Sequence, residues 1–542
     1  MNSALPAPFP KLEEISEDYN PAIRLFGKRF IKEQSVLEYL TEFLGLVLFE
    51  KWLDGKERFA EPFLPIEELK KWSLSKNVRL KYNLPVKLNL KLFAFLSSSR
   101  VESRHSVHEE HYRRLFKILK DKIKINGGNT QEAIMRIEDL LRSYQGAGFN
   151  RTWCAKTFFP ISKALVTRET IWNASVARKN NSLSWSSSIL DFKKYYSISR
   201  RDFMARGGEL LYLQLCNLFA KREIEVKTFA DKMHFHFDEA NLEDLHGALQ
   251  KSLAKLQGIN STSFDELLDY VESLDKETCE LSNKELIQLG CEWCPEESWQ
   301  EGYLFAVEIK RLLQAVLDPV ERLQMLMTGC SLQVLRSICA QSVRYAGIKP
   351  EDGKGGGLEY SWIFTKPHSP SRQQRLASQR NLQHIQGLIQ KSLRHIQLFE
   401  NASRDPLRTT KQLYQEADNK YGHKLLLSLG KKLGIIVPSR GPGARFIMTD
   451  NVLRYMVLVL LSPGEYCTYS GFLERLYRHY GIAVEGDNLN DAVAWCGLPA
   501  NSAVQTANEV GWLAEMLNAS GFLTELSDAC SIVRNTFDSG GM

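Results

Sequence analysis

The residue types and spacings that invite chemistry in this chain fall into four short constellations. His234-Phe-His236-Phe-Asp238 alternates, so on a strand both imidazoles and the carboxylate would share one face, as a divalent metal requires. Glu239 stands where a further histidine ligand would follow, and a surface strand burying Phe235 and Phe237 explains the same alternation without metal. His105, His108 and His111 are spaced by three beside Glu109 and Glu110, but on a helix the first and third diverge, and no H-E-x-x-H is present. Arg113, Arg114, Lys117 and Lys120 follow, so that segment reads as a basic solvent face. Cys291-Glu-Trp-Cys294 has only Cys279 nearby, too few ligands for zinc, and reads as a loop with two partly buried thiols. Glu225-Val-Lys227 has the acid-x-lysine form of a nuclease strand, yet lacks a second acid on an adjoining strand to hold Mg²⁺. Gly353-Lys-Gly-Gly-Gly357 lacks the spacing and the terminal Lys-Ser/Thr of a phosphate loop, and no helicase, kinase, dinucleotide or serine-hydrolase signature occurs. The expectation is a chain that is not an enzyme, with no assigned catalytic residue, no metal and no cofactor. A divergent metal-dependent nuclease or hydrolase using His234, His236 and Asp238 is the competing class.

Binding chemistry is concentrated instead in Asn419 to Asp450. A helix there places Leu425, Leu429 and Leu433 on one face, with Lys424, Lys431 and Lys432 outside it. Gly422 inside that helix costs about 1 kcal/mol against alanine. Gly434 suits the position just past the helix, and Ile435 to Val437 and Phe446 to Met448 read as strand arms. Between the arms lies a Gly- and Pro-rich turn carrying Arg440 and Arg445. A helix followed by a basic hairpin is the layout of a winged helix, which sets a helix in a groove and a wing on the phosphate backbone. The nucleic-acid contacts expected from this layout are Lys424, Lys431, Lys432, Arg440 and Arg445, directed mainly at phosphates. Winged helices also dock proteins, so a protein-only adaptor is a further alternative.

The elements that carry these residues belong to ordinary globular material. The 542 residues are 44% hydrophobic and 25% charged, enough for roughly three or four domains of about 150 residues. No apolar run approaches the roughly 18 residues of a membrane span. Prolines interrupt the N-terminal segment where a signal peptide would need an apolar core, so a cytoplasmic location is expected, with no membrane partner. Cys216, Cys330 and Cys339 sit in apolar helical runs, which suits reduced thiols.

Charge is segregated along the chain. Lysine and arginine outnumber acids 15 to 4 from Lys70 to Ile125, a net of +11, and 15 to 5 from Lys366 to Asp450, a net of +10. Between them, Asp231 to Cys330 holds 8 bases against 20 acids, a net of −12. These blocks are either solvated faces that neutralise one another inside the fold, or surfaces for a polyanion and a basic partner. Composition divides the chain into a mobile Pro-rich tail (1–20), a basic helical domain (21–150) and a mixed helical unit (151–230). An acidic helical domain (231–348), a Gly-rich linker (349–372) and a basic winged-helix-like region (373–542) follow. Periodicity predicts one amphipathic helix from Gln373 to Glu400, with Ile396 inside, and Ser470 as the cap of a later helix. The fold class is mainly α (α+β), a multidomain helical protein with a winged-helix-like C-terminal module.

Four segments together carry a family resemblance: Arg151-Thr-Trp-Cys-Ala155, Arg206-Gly-Gly-Glu-Leu-Leu-Tyr212, the basic hairpin, and Gly471-Phe-Leu-Glu-Arg475 through Gly481. The chain resembles accessory subunits of multi-gene bacterial antiphage defence systems, in length and layout most similar to the B component of Druantia. The resemblance implies a non-catalytic accessory or scaffold subunit of an antiviral defence complex. Its partners would be other products of the same operon, including a helicase-like protein, and double-stranded DNA.

Overall fold

The computed structural model describes residues 4–9, 19–90, 117–143, 158–172, 196–197, 207–233, 241–274, 289–347, 355–498 and 511–538. Short breaks fall at 29, 54–56, 75–78, 86, 88, 118, 168–170, 259–261 and 528–529. The protein is mainly helical with several small sheets. None of its described helices is long and apolar enough to cross a membrane.

Helix α1 (Val36–Leu48) starts at a capping box in which Ser35 and Glu38 satisfy each other's backbone N–H groups. It buries Leu40, Phe43, Leu44 and Val47 against α2 (Gly207–Phe219), every residue of which is buried. The seam is possible because α2 opens on glycine. A Cβ at Gly208 would stand 2.3 Å from the Tyr39 carbonyl oxygen and 2.5 Å from the Phe43 nitrogen, where real atoms never sit. Its backbone N–H instead donates to Glu42 at 2.9 Å. Helix α3 (Trp299–Gln314) packs on α2, and α4 (Pro319–Tyr345) packs on both α1 and α3. As the sequence predicts, Asp318 caps α4 and Pro319 occupies its first turn.

Strand β1 (Trp362–Thr365) leads into α5 (Arg372–Leu393). Helix α6 (His423–Leu433) is followed by β2 (Ile436–Val437), β3 (Arg445–Ile447) and α7 (Asp450–Leu460). Helix α8 (Tyr469–Tyr480) and β4 (Ile482–Ala483) complete this half. The strands form one mixed sheet in the order β2-β3-β1-β4. The predicted hairpin β2/β3 is antiparallel, but β3 pairs in parallel with β1, and β1 in parallel with β4. Phe446 stacks on Phe364 at 5.6 Å and on Trp362 at 5.8 Å, which fixes the hairpin to the core.

Several expectations are corrected. The 21–150 segment contributes three strands, 51–53, 57–59 and 80–82, to an antiparallel sheet completed by 289–290. Strands this short leave too little alternation to read. The helix predicted from Gln373 to Glu400 breaks at Arg394-His395, and Ile396 is 52% exposed at the start of a separate short helix. Thr468, not Ser470, caps α8. Only part of the predicted glycine linker lies among the described residues, and that part is packed. A Cβ at Gly356 would meet the Gly481 Cα at 2.6 Å, and the Gly357 N–H donates to the Arg478 carbonyl at 2.9 Å. One apolar core runs through elements of all four large segments drawn from composition.

A charged cluster lies inside that core. Glu308 on α3 is 1% exposed and pairs with Arg336 on α4, itself fully buried. His479 on α8 bonds the same carboxylate at 2.6 Å, and the Tyr455 hydroxyl on α7 donates to it at 2.8 Å. Arg336 also donates to Gln333, which donates to Gln214 on α2, and its guanidinium lies 4.6 Å from the Tyr480 ring centre. Burial pushes Glu308 up, but Arg336 and His479 outweigh it and hold the carboxyl at about 2. Burial pulls His479 down to about 4 despite the carboxylate, so at neutral pH the imidazole is an uncharged donor.

Two stability measurements follow. Arg336→Ala would leave Glu308 buried and unpaired, and urea unfolding should show a loss of about 3–5 kcal/mol. Because His479 titrates lower when folded than when unfolded, the unfolded chain takes up its proton first. Stability should therefore fall as pH drops from about 6.5 towards 4, by up to about 3 kcal/mol, and His479→Gln should flatten that part of the profile. Separately, Gly208→Ala should destabilise by at least 1–3 kcal/mol, roughly the magnitude of core overpacking, by forcing α2 off α1.

Candidate nucleic-acid interface

Helix α6 follows a π-helical turn at Ala417–Tyr421 and begins after Gly422, which caps it rather than interrupting it. Leu425 and Leu429 are buried and Leu433 packs partly against the core, as their spacing predicts. Gly434 ends the helix in the left-handed conformation, φ +85°, and the chain turns directly into β2.

The five predicted contacts separate in space. Arg440 is exposed at the hairpin tip. Arg445 is half-buried at the hairpin base and donates to the Pro367 carbonyl at 3.2 Å. Lys431 reaches the Ser439 carbonyl at 3.3 Å, joining α6 to the hairpin. Lys424 lies two turns back on the same helical face, roughly 10 Å along the axis, and donates to Asn419. Lys432 points elsewhere. Its ammonium donates to the Lys32 and Gln34 carbonyls at 2.9 and 2.6 Å, joining α6 to residues 32–34.

Helix α5 is predicted by periodicity as part of one longer helix, but its position beside the hairpin is not. Its Gln379 amide donates to the Gly443 carbonyl at 3.1 Å, and its Ser378 hydroxyl accepts the Phe446 N–H at 2.9 Å, so the hairpin lies along this helix. Burial and the neighbouring Arg375 both push the Arg445 guanidinium down from its usual range, the mark of two cations held together. Among the described residues, none of Arg372, Arg375, Arg380, Arg440 and Arg445 forms an ion pair with an acid. A signal was available. From Tyr360 to Phe399 the sequence carries no aspartate or glutamate at all, although it holds six lysines and arginines.

The acidic block behaves differently, because several of its described carboxylates are engaged within the molecule. Glu292 pairs with Lys28 at 3.3 Å, Asp269 with Lys87 at 3.0 Å and Glu296 with Lys221 at 2.7 Å. Glu301 holds Arg344 at 2.7 Å, and Glu321 pairs with Arg454. Of these bases only Lys87 belongs to either basic block, so the paired acids are met mostly by bases from other segments.

The catalytic constellations fare unequally. Residues 234–240 and 101–116, with all the histidines singled out above, lie outside the described residues. Glu225 and Lys227 sit on a helix, Glu223–Lys232, not a strand, and pair with Arg222 and Glu223 respectively. Cys294 is fully buried beside Asn217 and Ser298, whereas Cys291 is partly exposed. Cys216, Cys330 and Cys339 are free and buried. Among the described residues no three His, Cys, Asp or Glu side chains are grouped to hold a metal ion. The chain matches no protein-family model, no curated protein and no solved structure.

Lys432 serves the fold. Lys432→Ala should lower unfolding stability by roughly 1 kcal/mol by removing two charged hydrogen bonds, while leaving the salt dependence of any nucleic-acid binding unchanged.

Proposed function

We propose that this chain is a non-catalytic accessory or scaffold subunit of a bacterial antiphage defence complex, whose winged-helix-like C-terminal module engages DNA phosphates. The observation that carries the DNA part is the basic hairpin. Arg440 and Arg445 are presented on a strand pair anchored by aromatic stacking, beside further arginines and away from any neutralising carboxylate among the described residues. Guanidinium groups in such surroundings favour phosphate oxygens, and contacts of this kind position a protein on nucleic acid without reading its sequence. The defence assignment rests on the resemblance of the four segments described above. Other subunits of the same operon, among them a helicase-like protein, would supply ATP-driven work for which this sequence has no motif. The competing nuclease reading rests on His234, His236 and Asp238, which lie outside the described residues.

Two assays test the proposal together. The purified full chain should bind duplex DNA with little sequence preference and an affinity that falls steeply with salt. Reversing the hairpin charges with Arg440→Glu and Arg445→Glu should weaken binding at least tenfold, a loss of about 1.4 kcal/mol. DNA affinity unchanged by this double reversal would favour a protein-only adaptor. The same preparation should contain no stoichiometric metal and cleave no DNA in Mg²⁺ or Mn²⁺. Cleavage that disappears in His236→Ala would overturn the non-catalytic assignment.

A further inference from the structure

We infer that the helix presented to nucleic acid is α5, not α6, and that its ligand is the phosphate backbone of duplex DNA. This rests on the phosphate-binding reading above and names the element that performs it. Helix α5 spans 22 residues, roughly 33 Å, comparable with one turn of duplex at about 34 Å. One side of it is buried through Ala377, Asn381, Leu382, Ile385 and Leu388. The opposite arc is solvent-exposed and carries Arg372, Arg375, Arg380, Gln383, Gln390 and Lys391. Its charge is all of one sign, because α5 contains no acid anywhere along its length.

A helix face of this kind is unusual for a solvated surface, where alternating charges normally form i,i+4 pairs. Elsewhere in this protein they do, at Arg136–Glu132, Lys227–Glu223 and Arg478–Glu474. On α5 the cations alternate with the exposed amides of Gln383 and Gln390, and glutamine amides also donate to phosphate oxygens. The hairpin contributes Arg445 next to Arg375, where burial and like charge both disfavour the guanidinium, and an anion relieves both. Helix α6 is the weaker candidate on geometric grounds. Its Lys432 ammonium is engaged by the Lys32 and Gln34 carbonyls, and its Lys431 is tied to the hairpin backbone. Gln390 approaches His423 at 3.4 Å, so α6 meets α5 near its C-terminal end and leaves the arginine-rich N-terminal half open.

Three variants of the full chain separate the possibilities, each measured by fluorescence anisotropy on a labelled duplex of one to two turns over a salt series. Arg372→Gln, Arg375→Gln and Arg380→Gln combined should reduce the salt slope by about three, roughly one for each phosphate no longer neutralised, and equally on unrelated sequences. Lys424→Gln with Lys431→Gln should change it little, and Lys251→Gln, on a distant helix, not at all. The substituted side chains are exposed, Lys431 only partly, and circular dichroism would confirm folding. If the α6 pair loses the slope while the α5 triple keeps it, α5 is not the contacting helix, although phosphate binding stands. If the unaltered chain shows no salt-dependent duplex binding, the phosphate-binding reading itself fails. If poly-glutamate binds as tightly as duplex and its binding disappears in the α5 triple, the ligand is an acidic protein and the assignment to DNA is overturned.

Discussion

The Glu308 carboxylate is the constraint to which the interior of this protein conforms. A charge in an apolar core is tolerated only when paired and fully hydrogen-bonded. Here the partners arrive from three other helices: Arg336 from α4, Tyr455 from α7 and His479 from α8. Gln333 and Gln214 extend the chain of bonds to α2. Apolar side chains alone would accept many small slips of one helix past another. Directional bonds to a buried charge accept very few, because any slip leaves a charge unsatisfied at a cost of several kcal/mol. The same burial makes His479 neutral at physiological pH, so the cluster carries one negative and one positive charge and no surplus.

That internal balance has a counterpart at the surface. Carboxylates of the acidic stretch meet Lys28, Lys87, Lys221 and Arg344, with Glu301 buried against the last. Bases of the second basic block do so less. Arg394 finds Asp418, and Arg408 finds Asp405 and Glu416, but the α5 face and the hairpin keep their positive charge. Folding therefore does not spread charge evenly. Among the described residues it pairs several carboxylates of the acidic block and leaves a basic edge where α5 lies beside the hairpin. Such an edge raises the local concentration of polyanions whatever the sequence of the ligand.

Legibility in the sequence followed the range of the forces involved. The cap at Asp318, the apolar faces of α1 and α6, and the turn at Gly434 were readable, because each depends on neighbours within one or two helical turns. The hairpin was readable for the same reason. Its incorporation into a mixed sheet was not, since β1 lies far upstream and the pairing of Phe446 with Phe364 leaves no local trace. Gly356 looked like linker because glycine-rich stretches usually are; packing against Gly481 is a second reason for glycine that composition does not distinguish from the first. Of the five proposed contacts, Arg440 and Arg445 occupy the expected hairpin, whereas Lys432 is engaged by the Lys32 and Gln34 carbonyls. The acid-free run from Tyr360 to Phe399 and the polar side of α5 were visible in the sequence, but not that the hairpin lies along that helix.

By itself the sequence determined some helix boundaries, such as the start of α4 at Asp318 and the end of α6 at Gly434, most apolar faces, and how charge is distributed along the chain. These properties are set by side-chain chemistry acting over a few residues. Only the tertiary structure decided which charges survive at the surface, which helix lies along the hairpin, and that Glu308, Arg336 and His479 share one buried site. Those outcomes depend on residues far apart in the chain, and a charge keeps or loses its field according to what folding places beside it.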